Sequence, residues 1–286
     1  MIWVDGKVVA DDALKVSVLD RTFEHGLGLF ETLRTWNGRA PLLDRHLARL
    51  ADSSRVLGIP LNSVLLPDQE AVEKLLDAEG IGGDVVLRIS LTGGRDPISG
   101  SILFMRARPL PNEMRHGGAI VECGTWRVAR GDPLARHKSL NYWTRRHAYE
   151  SALAMGFDET LSAFDGFSSD LCVFEGSRTN LFALIQGRLT TPDLDSPIVP
   201  GIMRGLVIEL ARELGIEVSE SVFLGGLMFG LAEEVFLTNS VRGIITVNKV
   251  IRVEPFHVFE WTAPGPLTQR LSILVSDWLQ SRGGIS

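Results

Sequence analysis

Apolar and polar positions along the chain switch between two periods. Ile2-Trp3-Val4 and Lys7-Val8-Val9 flank Asp5-Gly6, which reads as two strands joined by a tight hairpin. Phe30 to Trp36 is a further strand, closed by the turn signal Asn37-Gly38. Leu43, Leu47, Leu50, Val56 and Leu57 recur at helical spacing, so a helix is expected from Leu43 to Leu57 with Asp44 as its cap. A second helix is expected from Pro67-Asp68 to about Ala78, stopping at Gly80. Val85 to Leu91 and Ile102 to Met105 read as strands, with a Gly-, Asp- and Pro-rich loop from Thr92 to Gly100 between them. Arg108 to Asn112 carries two prolines and reads as extended, and the segment from there to Ile120 as a linker.

The second half mixes both periods again. Strands are expected over Gly118–Cys123, Thr160–Phe164, Leu171–Phe174, Leu181–Leu184 and Glu234–Thr238, and helices over Asn141–Met155 and Gly201–Leu214. No internal repeat or low-complexity tract interrupts them. The expectation is an α+β chain with a small N-terminal α/β domain, residues 1–117, and a larger C-terminal domain, residues 118–286. Ligand clefts commonly lie between such domains, which is where a cofactor is expected.

Composition narrows the function. With 286 residues, 45% apolar and 22% charged, this is the make-up of an ordinary globular protein able to bury a sizeable core. A formal charge of −6, with only short basic clusters at Arg127–Arg130 and Arg145-Arg146-His147, argues against nucleic acid as partner. Cys123 and Cys172 are too few for a disulfide framework, and His25, His46 and His137 are not at metal-ligand spacing, so no metal is expected. The start MIWVDGKVVADD lacks a signal-peptide pattern, and no apolar run reaches bilayer-spanning length. A cytoplasmic protein acting on a small molecule, without membrane or nucleic-acid partner, is the expectation.

The chemistry centres on two segments, His137-Lys138-Ser139-Leu140-Asn141-Tyr142 and Glu175-Gly176-Ser177-Arg178-Thr179-Asn180. A lysine followed 37 positions later (175 − 138) by a glutamate in a Gly/Ser/Asn-rich turn suits pyridoxal phosphate. The amine can form a Schiff base with the aldehyde, and the carboxylate can keep the pyridine nitrogen protonated, which makes the ring an electron sink.

Further motifs follow in order: Asp20-Arg21-Thr22-Phe23-Glu24-His25-Gly26, Phe30-Glu31-Thr32-Leu33-Arg34, His46–Leu50, GFDETL from Gly156, the run from Thr191 to Gly205, and Glu233 to Ile244. Together with KSLNY and EGSRTNLF they resemble the fold-type IV pyridoxal-phosphate enzymes over about residues 1–250. That family holds branched-chain and D-amino acid aminotransferases, (R)-amine transaminases and 4-amino-4-deoxychorismate lyase. The resemblance implies pyridoxal 5'-phosphate as cofactor, a small-molecule amino substrate and a homodimer. It implies Lys138 as the Schiff-base lysine and proton shuttle, Glu175 at the ring nitrogen and Arg49 at the phosphate. The N–H groups of Ile202 and Met203 at a helix start, and the Ser240 hydroxyl with Thr238 and Asn239 as neighbours, complete the phosphate site. Met203 stands where many members carry a threonine, so that hydroxyl contact is absent. Tyr142 is either a partner of the cofactor's phenolic oxygen or a core tyrosine, and Asn180 either braces the Glu175 turn or touches the ligand.

The substrate wall is expected on the strand from Phe30, where period two puts Phe30, Thr32 and Arg34 on one face and Glu31 and Leu33 on the other. Arg95 is either a carboxylate-binding residue on a lid-like loop or a solvated charge, and Arg88 is open in the same way. Phe30–Arg34, Gly201-Ile202-Met203-Arg204 and Thr238–Ile244 resemble the lyase forms of their motifs. Leu91-Thr92 departs from the arginine-glycine pair usual after that strand. The expected activity is therefore 4-amino-4-deoxychorismate lyase, releasing pyruvate and 4-aminobenzoate, a folate precursor; the alternative is a class IV aminotransferase acting on branched-chain L-amino acids, D-amino acids or (R)-amines with a 2-oxo acid acceptor.

Overall fold

The structure, a computed structural model, describes residues 1–98, 100–111, 117–129, 131–165, 170–253 and 256–283. The chain divides into two compact units. The first holds Met1–Pro111, His137–Tyr142 and the chain from Trp278; the second holds Asn112–Arg136 and Trp143–Asp277. The division begins near the expected boundary at 117 but departs from it in two places. The segment around Lys138 folds with the first unit, and so does the end of the last helix, Pro266–Gly283, for which the sequence reading set no expectation.

In the first unit, five antiparallel strands stand in the order Lys7–Val9, Ile2–Val4, Leu103–Pro109, Val85–Thr92, Gly28–Arg34. Asp5 and Gly6 make the hairpin turn with φ of 43° and 93°, the pair of positive values that a type I′ turn needs. Helices Leu43–Leu57 and Gln69–Glu79 cover one sheet face. Leu47, Leu50, Val72 and Leu75 pack there with Leu33, Leu87 and Ile89, as the helical and alternating patterns require. Asp68 caps the second helix by accepting from the Ala71 N–H at 2.9 Å. Asp44, expected as a cap, lies inside the first turn instead: Leu42 precedes the helix without any side-chain cap. The strand expected at Ile102–Met105 runs on through Arg108-Pro109, because Pro109 is its last residue and interrupts no further pairing.

Directly paired residues of neighbouring strands share a sheet face. The register therefore puts Phe30 with Ser90 and Phe104, Thr32 with Arg88 and Arg106, and Arg34 with Val86 and Arg108, on the face away from the helices. That face is cationic.

In the second unit, six strands pair in a closed ring: Ala119–Arg127, Glu159–Asp165, Leu171–Gly176, Asn180–Ile185, Ala232–Asn239 and Gly243–Arg252. The ring closes through the single pair Glu175↔Asn180. Four more strands extend it, and helices Trp143–Ala154, Ile202–Glu213 and Gly225–Leu231 lie in the same unit. Leu161, Val173, Leu181, Phe223, Leu237 and Val247 fill its core, and Phe182 stacks on Phe236 with centroids 5.0 Å apart. Glu175 was expected in a turn after a strand ending at Phe174. It lies within Leu171–Gly176, held there because its N–H and C=O both bond the Ser162 hydroxyl of the adjacent strand. No helix among the described residues is long and apolar enough to cross a membrane.

Candidate active site

Lys138 is fixed by backbone pairing. The Phe30 N–H donates to the Lys138 carbonyl and the Leu140 N–H to the Gly28 carbonyl, both at 2.9 Å, so 138–140 runs as a short extra strand along Gly28–Arg34. The approach demands glycine at 28: with φ of 149°, a Cβ there would stand 2.5 Å from Leu140 Cδ1 and 2.9 Å from the Leu91 carbonyl oxygen. The Lys138 ammonium nitrogen lies 4.5 Å from the centre of the Phe30 ring and 5.7 Å from that of Tyr142. Phe30 and Tyr142 meet edge to face at 5.1 Å. The Arg88 guanidinium stacks over Phe30 at 3.8 Å. Burial, then the charges of Arg106 and Arg108, pull Arg88 down to about 10. Among the described residues no carboxylate pairs with it within its unit.

Behind that strand, on the opposite parity, Glu31 is fully buried. Arg49 grips it with two bonds, Nε to Oε1 at 2.8 Å and Nη2 to Oε2 at 2.5 Å, and His46 Nδ1 lies 2.6 Å from Oε2. Burial alone would raise the Glu31 carboxyl, but the charge of Arg49, with the hydrogen bonds from Arg49 and His46, outweighs it and holds it at about 2. Burial pushes His46 down, against the pull of Glu31. We therefore read the imidazole as neutral, donating through Nδ1–H, with Arg49 as the permanent counter-ion. His46 Nε2 is buried and meets no hydrogen-bond partner among the described residues.

Three sequence expectations change here. Arg49 is bound to Glu31, so any phosphate contact has to share its guanidinium. Arg34 is four residues from Phe30, roughly 13 Å along a strand, ion-paired to Asp84 at 3.0 Å and stacked on Trp36 at 4.0 Å. It is not brought to Lys138. Thr32 pairs with Arg88, whose guanidinium reaches the Phe30 ring. Arg95 is exposed in the loop after Val85–Thr92. The base of that loop is tied down by Arg21 and Thr22, which bond the Gly93 carbonyl and N–H.

In the second unit, Glu175 is almost wholly buried and richly bonded. Its Oε1 accepts from Arg145 Nη2 at 2.5 Å and its Oε2 from Asn180 Nδ2 at 3.2 Å, while the Val199 N–H reaches both oxygens at 3.1 Å. Asn180 also donates to the Val199 carbonyl at 3.0 Å. It thus braces Glu175 and the chain at Val199. The following turn is held from beneath: Glu159 accepts from the Ser177 hydroxyl and N–H and the Thr160 N–H, and Glu122 from the Thr160 hydroxyl and Thr125 N–H. Neither buried glutamate was singled out from sequence, because the hydroxyls they hold, of Ser177 and Thr160, lie 18 and 38 positions away.

The helix Ile202–Glu213 starts at Gly201 with no side-chain cap, so the first N–H groups, of Ile202 and Met203, have no capping side chain. A Cβ at Gly201 would collide with the Asn180 side-chain oxygen, so glycine lets the helix start close to it. Thr238 Oγ1 is buried and unpartnered among the described residues, and Ser240 lies in the turn after it. Asn239 is a correction: its side-chain oxygen accepts from the N–H groups of Val241 and Arg242 at 3.0 and 2.8 Å, which makes it a turn brace. An uncapped helix start beside an orphaned hydroxyl fits a phosphate; a buried, hydrogen-bonded carboxylate fits a pyridinium N–H; a lysine on an aromatic face fits the aldehyde-bearing ring.

Comparison with known proteins identifies the family. A family model described as amino-transferase class IV matches residues 28–250. A Methanocaldococcus jannaschii protein, named as a proposed branched-chain-amino-acid aminotransferase, is 32% identical over 260 residues, covering 87% of each chain. The aminodeoxychorismate lyase of Bacillus subtilis is 26% identical over 302 residues, covering 99% of this chain and 98% of its own. The branched-chain aminotransferase of Thermoproteus uzoniensis superposes with a TM-score of 0.83 at 26% identity, covering 98% of this chain and 95% of that one. The chain belongs to the class IV aminotransferases, enzymes whose cofactor is pyridoxal 5'-phosphate.

Proposed function

We propose that the chain is a 4-amino-4-deoxychorismate lyase, releasing 4-aminobenzoate and pyruvate. The observation that carries this reading is Arg88: a cation partly withdrawn from water, stacked on Phe30 beside Lys138 and, among the described residues of its unit, lacking a carboxylate of its own. A buried unmatched cation is costly unless the substrate brings an anion. The ring carboxylate of aminodeoxychorismate supplies one, and Phe30 and Tyr142 offer aromatic edges to its ring. A branched-chain amino acid brings its one carboxylate on the carbon that bears the amine, and none at the far end of its side chain.

Bound pyridoxal phosphate supplies an electron sink at the carbon that bears the substrate's amino group. Lys138 carries the cofactor and takes the proton from that carbon, and loss of pyruvate then aromatises the ring. Glu175 holds the ring nitrogen through one of its oxygens. Within the second unit, the Ile202 and Met203 N–H groups, Thr238 and Ser240 would take the phosphate. Following the family resemblance, we also propose a homodimer.

The second reading, a branched-chain aminotransferase, is favoured by the 32% identity to the M. jannaschii protein. One assay separates them. Loaded protein is given freshly generated 4-amino-4-deoxychorismate, and separately L-leucine or D-alanine. Release of 4-aminobenzoate supports the lyase; no release, with spectral conversion of the cofactor to its pyridoxamine form by an amino acid, replaces it with the transaminase.

A further inference from the structure

Arg145 sits where a helix does not favour it. It is the third residue of Trp143–Ala154, inside the first turn, where the macrodipole repels cations. Its neighbour Arg146 reaches along the helix to Glu150. Arg145 turns inward instead, with only 18% of its side chain exposed, and bonds Glu175 Oε1 at 2.5 Å. Its guanidinium carbon lies 5.5 Å from the ring of Trp126. A permanently charged side chain placed against the dipole and out of water needs the Glu175 carboxylate as its counter-ion.

That carboxylate is the group assigned above to the ring nitrogen. From this geometry we propose that Arg145 is a positioning residue: it shares the Glu175 carboxylate with the ring nitrogen of bound pyridoxal phosphate and so limits how far that nitrogen is protonated. The inference rests on the assignment of Glu175 made under the proposed function. The carboxylate's other donors, Asn180 and the Val199 N–H, are neutral, so Arg145 brings the cationic charge among the bonds described above. The other titratable groups nearby face elsewhere. Glu159 is turned to Ser177 and Thr160, Glu122 to Thr160 and Thr125, and His147 stacks on Trp143. A ring nitrogen competing with a guanidinium gains less from Glu175 than one that has the carboxylate to itself. The electron sink is correspondingly shallower, which a reaction driven by aromatisation tolerates better than one that must store charge on the ring.

The test is the ¹⁵N chemical shift of the ring nitrogen, followed against pH in protein loaded with ring-labelled pyridoxal phosphate. It needs no turnover. In the unaltered protein the nitrogen is expected to titrate within the pH range of the folded state. Arg145→Met is expected to raise that pKa by about one to three units, the effect of removing one neighbouring charge. Arg145→Lys keeps the charge and is expected to restore most of the lowered value. A nitrogen protonated across the whole range in the unaltered protein overturns the proposal, and so does a pKa unmoved by Arg145→Met. Glu175→Gln separates the two assignments: if it leaves the shift unchanged, Glu175 does not meet the ring at all, whereas a response to Glu175→Gln without one to Arg145→Met removes Arg145 alone.

Discussion

Replacing Glu31 by glutamine keeps the shape of the side chain and one acceptor oxygen but removes the charge that Arg49 grips. The carboxyl falls from an ordinary 4.5 to about 2 in the folded protein, which at 1.36 kcal/mol per pKa unit is about 3 kcal/mol of stability at neutral pH. Breaking a buried ion pair by removing one partner typically costs about 3–5 kcal/mol, so two independent routes agree. The sign follows from the depressed value. This stabilisation is fully present above the unfolded pKa near 4.5 and is lost as pH falls towards about 2. Glu31→Gln should therefore lower stability by about 3 kcal/mol at pH 7, with the gap to the unaltered protein closing through that acid window. Asp20 and Asp170 also have lowered pKa values, but they act in both proteins and cancel in the difference. Urea unfolding is followed by hydrogen exchange of peptides from Gly28–Arg34 and Leu43–Leu57, so that the first unit is read by itself. A difference under about 1 kcal/mol, or one that stays constant between pH 5 and about pH 2, would refute the reasoning.

Three further outcomes follow from the site. Arg88→Met should raise KM for an anionic substrate by roughly 10- to 100-fold with a smaller change in kcat, because one charge-assisted contact is lost; an unchanged KM for aminodeoxychorismate would remove Arg88 from recognition. Lys138→Ala should abolish turnover, and borohydride reduction of loaded wild-type protein should leave a pyridoxyl group on Lys138 in peptide mass spectra; a modified lysine elsewhere would end the assignment. Gly28→Ala puts a Cβ 2.5 Å from Leu140 Cδ1 and should cost about 1–3 kcal/mol by overpacking; thermal melting equal to the unaltered protein would show that the 138–140 segment yields freely.

The readable part of this protein was local. The Asp5-Gly6 hairpin, the helices over Leu43–Leu57 and Gln69–Glu79, and the strand carrying Phe30 all follow from periodicity and turn chemistry within a dozen residues. So did the alternation that separates Phe30 and Thr32 from Glu31. Lys138 and Glu175 were singled out because their residue types and surrounding motifs carry the chemistry. What escaped was pairing at long range. Nothing near Arg49 in sequence announces that Glu31 will claim it, 18 positions away. Nothing near Arg145 announces Glu175, 30 positions away. Periodicity predicts which face a side chain takes, and only the fold decides which charge meets it there. Arg34 shows the converse error: its face was right, but Asp84 at the far end of the neighbouring strand holds it away from Lys138.

The two units repeat one device, a buried carboxylate held by an arginine and a second polar donor. Glu31 takes both ends of the Arg49 fork plus His46, and Glu175 takes one nitrogen of Arg145 plus Asn180 and a backbone N–H. Buried ion pairs of this kind seldom add net stability over well-packed apolar residues of the same volume, since desolvation offsets most of the attraction. Their retention in two places points to positioning. The difference in geometry then matters. A fork that spends two donors on one carboxylate orients Arg49 rigidly, as a residue meant to present its guanidinium in one direction must be. Glu175 instead divides its charge among three different donors, the Arg145 guanidinium, the Asn180 amide and the Val199 N–H. On the proposed function, the first arrangement would serve a fixed anion, and the second a ring nitrogen that shares its carboxylate with a guanidinium.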